Sequence, residues 1–206
     1  MSVPHNWLEP AVPSKQAELL RQTIGRTLTK LVRFSREAPL SLTRPGAALD
    51  GDEPLKPQQV FSFAAGPLVM GFDTGLEIAV GADERCEIHL NLRRHPNGKQ
   101  TDHLFENEPG YHVLDAGDGR FCREEIHRML GKRILDVRLL RMDGQRYGKN
   151  RTFEVGVVFY VEGCPELVLS GGLTEGLDDF AVTLREEILP ENRRYLTEER
   201  LAPAGS

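Results

Sequence analysis

The sequence predicts an α+β fold built from two similar units, each a short helix followed by antiparallel strands, packed as one body. Three internal matches carry that prediction. Residues 18–31 align with residues 124–137, 106 positions later. Both stretches hold an acid, an apolar-rich turn, an apolar residue before Gly25 or Gly131, a base after it, and apolar residues at Leu28 and Leu31 or Ile134 and Val137. Residues 69–75 align with residues 157–163 at an offset of 88, and each leads into a short apolar strand. Phe180, Val182 and Leu184 fall on the positions of Cys86, Ile88 and Leu90 at an offset of 94. Solenoid repeats run ~20–50 residues, so this longer period fits a duplicated supersecondary unit with loop insertions. A chain of 206 residues buries ~70% of its extended surface, and two halves of this size fold without a metal or disulfide staple.

Taken in order, Pro4, Pro10 and Pro13 make the first residues an extended arm, with Trp7 and Leu8 as its anchor. Ser14 is the expected N-cap of a helix that stops at Gly25. A strand follows over 27–34. Pro39, Pro45, Gly46, Gly51, Pro54 and Pro57 mark 39–58 as a loop, made acidic by Asp50, Asp52 and Glu53. From Val60 the pattern reads as a strand through Phe61 and Phe63, broken at Gly66-Pro67, and then as a hairpin of 68–72 and 76–80 turning at Asp73-Thr74-Gly75. Residues 86–93 alternate, sending Cys86, Ile88, Leu90 and Leu92 to a core and Glu87, His89, Asn91 and Arg93 outward. That places a first unit with its arm at 1–94.

Residues 95–121 lack periodicity and read as the junction between units. Loops beyond ~12–15 residues are uncommon in compact domains unless they serve a function or are disordered. The second unit, 122–206, repeats the order: a helix over 123–130, a stop at Gly131, a strand over 133–142, a hairpin pivoting on Glu162-Gly163, a strand over 180–184, and a charged helix or tail over 185–200 broken at Pro190.

Composition narrows the chemistry. Twenty-six Lys and Arg against thirty-one Asp and Glu give a net charge of -5, which disfavours a nucleic acid and accommodates a basic partner, although solubility alone explains the same number. Three cysteines, Cys86, Cys122 and Cys164, are odd in number and widely spaced, so neither a disulfide framework nor a thiolate zinc site is indicated. A reducing, cytoplasmic setting follows. No apolar run approaches the ~18 residues of a membrane helix, and the start has no export pattern, so no membrane partner is expected.

Each catalytic or metal motif has a simpler reading. Cys86 and His89, with His95 and His103, have ligand chemistry, but residues three apart on a strand point to opposite faces. Asp115 and Asp118 lack the ligand spacing of a calcium loop and read as a turn. Ser170-Gly171-Gly172 lacks the glycine pattern of a nucleophile elbow, and Asp178 and Asp179 diverge on a strand. Arg146, Lys149 and Arg151 make a basic turn without a phosphate-loop signature. No catalytic residue, cofactor or metal ligand is therefore assigned. The segment singled out for recognition is Phe105-Glu106-Asn107-Glu108-Pro109-Gly110-Tyr111, because aromatics supply contact area and acids steer a basic partner. An equal alternative is that Phe105 and Tyr111 pin the loop to the core. Asp50, Asp52 and Glu53, and then Glu87 and His89 on the wet strand face, complete the candidate partner-binding set.

Ile24-Gly25-Arg26 and Leu130-Gly131-Lys132, the phrase running from Gly66 to Gly75, the phrase from Phe153 to Phe159 and the closing Leu177-Asp178-Asp179-Phe180-Ala181-Val182 together resemble bacterial immunity proteins of polymorphic and type VI secretion toxin systems. The resemblance runs across about residues 18–188 in short, degenerate motifs. It implies a small acidic cytoplasmic protein, not an enzyme, that binds one cognate toxin and occludes it. The rivals are a hydrolase that reverses a toxin's modification, using Asp178 or Asp179 and a junction histidine, and an adaptor that holds two like partners on its two units.

Overall fold

Gly25 and Gly131 have φ of +80° and +79°, a left-handed backbone open to a residue without Cβ. Each follows a short helix and turns the chain into a long strand. In this computed structural model residues 12–44, 54–82, 88–94, 110–144, 151–174 and 180–201 are described. A 3-10 turn, Pro13–Gln16, leads into α1 (Ala17–Arg21) and then β1 (Leu28–Ser35). After α2 (Pro39–Leu42) and α3 (Val60–Phe63) come β2 (Leu68–Phe72), β3 (Leu76–Ala82), β4 (Ile88–Arg94) and β5 (His112–Asp115). The rest of the chain contributes α4 (Glu124–His127), β6 (Ile134–Asp143), β7 (Thr152–Val161), β8 (Leu167–Gly171), β9 (Phe180–Leu184), α5 (Pro190–Arg193) and β10 (Leu196–Arg200).

The strands form two antiparallel five-stranded sheets, ordered β4-β3-β2-β1-β5 and β10-β6-β7-β8-β9. Read from opposite ends, the two orders are the same: a four-strand meander whose first strand is flanked by the second and the fifth. The pairing also slips at the same place in both, between Leu28 and Lys30 in β1 and between Ile134 and Asp136 in β6.

The sheets meet at a corner. Thr27 and Arg133 form an antiparallel bridge, and the bonds around it are reciprocal. The Gly25 N–H donates to the Ile134 carbonyl at 2.7 Å and the Gly131 N–H to the Leu28 carbonyl at 2.8 Å. The Leu28 N–H donates to Lys132 at 2.9 Å and the Ile134 N–H to Arg26 at 2.8 Å. Four backbone groups on each side are thereby satisfied by the other half.

One apolar core lies between the sheets, filled by Leu31, Met70, Ile78, Val80 and Leu90 from the first and by Val137, Leu139, Val157, Phe159, Leu169 and Val182 from the second. Arg33 is buried with it. Its Nη1 donates to the carbonyls of Phe61 (3.3 Å) and Ser62 (3.0 Å), its Nη2 donates to the carbonyl of Phe180 (2.6 Å), and its guanidinium lies 5.1 Å from the Phe180 ring centre. The last carbonyls of a helix have no partner within it, so the charged side chain caps α3 and ties it to β9.

Several expectations are corrected. Val60, Phe61 and Phe63 belong to a helix: Pro57 opens a 3-10 turn that runs directly into α3, and a short apolar run does not tell a buried helix from a strand. The junction 95–121 is not all connector, because His112–Asp115 pairs with β1 and completes the first sheet. The charged tail likewise ends in a strand, Leu196–Arg200, paired with β6. Ser14 is no N-cap; it lies inside the 3-10 turn and its N–H donates to Glu154 Oε2 at 2.8 Å. The hairpin match is one position out of step, since Leu28 pairs with Phe72 while Ile134 pairs with Val161. The strand match is two out of step, since Leu92, Leu90 and Ile88 sit in the first sheet where Leu184, Val182 and Phe180 sit in the second.

Candidate functional site

Beyond its irregularity β6 turns Asp136, Arg138, Leu140 and Met142 away from the shared core. β10 sets Arg200 opposite Arg138, Glu198 opposite Leu140 and Leu196 opposite Met142, and β7 sets Tyr160 opposite Asp136. The same outer face carries a second apolar cluster of Leu140, Met142, Phe153, Val155, Val158, Val168, Leu173 and Ile188. Residues 185–195 are fastened at this face. The Leu189 N–H and Asn192 Nδ2 donate to the Leu173 carbonyl at 3.1 and 3.0 Å, and Arg193 donates to the carbonyls of Ile188 (2.9 Å) and Glu186 (2.6 Å).

Along the edge of this face runs a strip of alternating charge. Arg200 Nε lies 3.2 Å from Asp136 Oδ2, Asp136 Oδ2 accepts from Arg138 Nε at 3.2 Å, and Arg138 Nη1 donates to Glu198 Oε2 at 3.1 Å. Glu198 pairs in turn with Arg185. Tyr160 joins the strip from β7: its hydroxyl donates to Glu198 Oε2 and accepts from Arg185 Nη1, both at 3.2 Å, and Arg138 lies 4.5 Å above its ring centre.

The protonation states follow from these contacts. Burial alone would raise the carboxyl of Glu198, but the hydrogen bonds and charge of Arg185, with Arg138 and Tyr160, outweigh it and hold the group below its ordinary range. Arg138 is raised chiefly by its bond to Asp136, and Arg185 by its bond to Glu198. Tyr160 is raised by burial and then by the neighbouring Glu198 charge. Every shift deepens the charge state each group has at neutral pH. Such a strip holds fixed charges in register and is poorly suited to exchanging protons.

Next to the strip a recess of about 280 Å³ opens between the 185–193 segment and the sheet. Leu140, Leu184, Ile188 and Leu196 line it, with Glu166, Glu186 and Glu198 among its charged residues.

Of the residues singled out from sequence, those that are described belong to neither the strip nor the recess. Asp50, Asp52, Glu53, Glu87, Phe105, Glu106 and Glu108 fall outside the described residues, as do Cys86, Arg146, Lys149, Asp178 and Asp179. His89 is on β4, paired with Gly81. Tyr111 is half-buried against Val32, Phe34, Val69 and Ala79 on the outer face of the first sheet, so its ring pins the start of β5. Ser170 is fully buried in mid-strand. Asp115 and Asp118 make a turn: the Gly117 N–H donates to Asp115 Oδ1 at 2.7 Å, and Asp118 is held at about 2 by its hydrogen bonds from Arg120. Arg151 stacks on Phe153 at 4.3 Å. Among the described residues no three His, Cys, Asp or Glu side chains gather as a metal site, and no described helix is long and apolar enough to cross a membrane.

The sequence reading missed the strip because it took 185–200 as one charged tail. Its signal was the alternation Leu196, Glu198, Arg200, one face of a strand, matching Asp136, Arg138 and Leu140 with complementary charge. Comparison with protein-family models, curated proteins and solved structures finds no match.

Proposed function

We propose that this chain is a binding protein of the immunity type, which neutralises one cognate bacterial toxin by stoichiometric occlusion in the cytoplasm. The observation that carries this reading is the strip on the outer face of the second sheet. Its charges are fixed by mutual hydrogen bonds, Arg138, Tyr160, Arg185 and Glu198 are each pushed further into their neutral-pH states, and a recess lies beside it. Preformed, rotamer-locked polar groups lower the ordering cost of association, whereas acid-base chemistry asks for a group poised near the working pH. We read the two sheets as copies of one unit. Their common strand order, the irregularity shared by β1 and β6, and the reciprocal bonds at the corner support that reading.

The test is co-expression in a bacterial host with the product of the neighbouring reading frame. The expected outcome is rescue of growth and a one-to-one complex by light scattering. Protection at a dose well below one-to-one would replace the reading with an enzymatic one. Toxicity undiminished by excess of this chain would remove it.

A further inference from the structure

We infer that the recess beside the strip takes an arginine or lysine side chain from the partner protein, an inference that rests on the binding-protein reading above. At about 280 Å³ the space sits at the lower end of small-molecule pockets, ~300 Å³ and upward, and it suits a single side chain.

What decides the sign of that side chain is which charges at the recess are already engaged. Arg185 spends Nη1 on the Tyr160 hydroxyl and Nη2 on Glu198, and Arg193 spends Nε and Nη2 on backbone carbonyls. Glu198 is shared between Arg138, Arg185 and Tyr160. The carboxylates of Glu166 and Glu186 make no hydrogen bond or close ion pair among the described residues, Glu166 acting on Arg185 only through its charge, and both line the recess. The charged residues of the lining are three carboxylates, Glu166, Glu186 and Glu198, against two guanidiniums, Arg185 and Arg193, so the balance there is negative. The wall suits the same guest, because a long cationic side chain lays its methylenes along apolar surface and keeps its charged head at a polar rim. Leu140, Leu184, Ile188 and Leu196 supply that surface. An acidic side chain entering here meets the like charges of Glu166 and Glu186, while Arg185 is already paired with Glu198 and Tyr160. Arginine fits better than lysine, since its planar fork can grip a carboxylate through two parallel hydrogen bonds.

The experiment uses the full chain labelled with nitrogen-15 and two probes, acetyl-Gly-Arg-Gly-amide and acetyl-Gly-Glu-Gly-amide. The arginine peptide is expected to give saturable amide shifts at Glu166, Glu186, Ile188 and Leu196, and the glutamate peptide none. The double variant Glu166→Lys/Glu186→Lys should keep the remaining spectrum, which shows it folded, and weaken the arginine peptide by ~10-fold or more. Shifts from the glutamate peptide, no saturable shift from the arginine peptide, or unchanged affinity in the folded variant would each overturn the inference. The same variant separates the two proposals. If it still binds and neutralises the neighbouring toxin with affinity within ~2-fold of the parent chain, the recess is wrong and the immunity reading stands; if the peptide binds as expected but toxin is never neutralised, the reverse holds.

Discussion

Arg33 Nη2 lies 2.6 Å from the carbonyl oxygen of Phe180, 147 residues further along the chain. A fully buried guanidinium in the first sheet is thus fastened to the edge strand of the second, and through Phe61 and Ser62 to the end of α3. Arg33→Met removes the donors and leaves three buried carbonyls without them. Each unsatisfied buried group costs ~1–3 kcal/mol, so a loss of more than ~3 kcal/mol is expected in urea denaturation. Arg33→Lys should recover only part of it, because one ammonium does not span the forked geometry. A loss below ~1 kcal/mol for the Met variant would show that the contacts are incidental.

Three glycines rank themselves. A Cβ at Gly25 or Gly131 meets nothing within 4 Å, so alanine there costs only the left-handed backbone, ~1–2 kcal/mol each. A Cβ at Gly66, where φ is +131°, falls 2.0 Å from the Phe34 carbonyl oxygen, and the backbone must move. Gly66→Ala is expected to cost more than the other two together, measured as shifts in the urea midpoint. Equal effects at all three sites would contradict this ranking.

Glu198 fixes an acid limb. Its folded-state carboxyl is lowered, so the stability it adds is complete above its unfolded value and is lost as pH falls through the lower folded one. Relative to Glu198→Gln, the parent chain should be ahead by about 1–2 kcal/mol at pH 7. The gap should close as pH drops below about 4.3. A gap constant from pH 7 to 3 would mean that charge on Glu198 contributes nothing.

Cys122 is buried and its thiol is pushed up to about 12, mainly by that burial. Thiolate is the reactive form, so iodoacetamide at pH 8 should leave Cys122 unlabelled in the native protein and label it promptly in urea. Cys164, half-buried with Sγ 3.8 Å from the Arg128 carbonyl, should label first of these two. Peptide mapping by mass spectrometry gives the order, and early native labelling of Cys122 would argue against the packing described around it.

The parts of the fold legible in the sequence were those with a local cause. Gly25 and Gly131 announced two helix stops through their lack of a side chain, and the apolar alternation of Ile88 and Leu90 announced a strand with one face in the core. The misses came where tertiary contact overrode local pattern. Val60 and Phe61 have strand-forming side chains, yet Pro57 starts a helical turn and Arg33 waits to cap its end. His112–Asp115 is a strand because β1 offers it an edge, and its short exposed pattern contains no independent signal. At the candidate site the ion pair between Arg138 and Glu198 spans sixty positions, a separation at which single-sequence charge patterning says nothing about neighbours. The acidic loops drew attention through composition, and Asp50, Asp52, Glu53, Glu106 and Glu108 lie outside the described residues.

The reciprocal corner around Thr27 and Arg133 bears on how the molecule comes apart. Neither half can release it privately: opening it from either side strands the same backbone donors and acceptors on both. Heat or denaturant should therefore meet one transition and not two, with the amides of Gly25, Leu28, Gly131 and Ile134 exchanging with solvent only through global unfolding. A nascent chain that has emerged only as far as the first sheet lacks its corner partners, so the backbone groups of Gly25, Arg26 and Leu28 wait for Gly131, Lys132 and Ile134 before the corner can close.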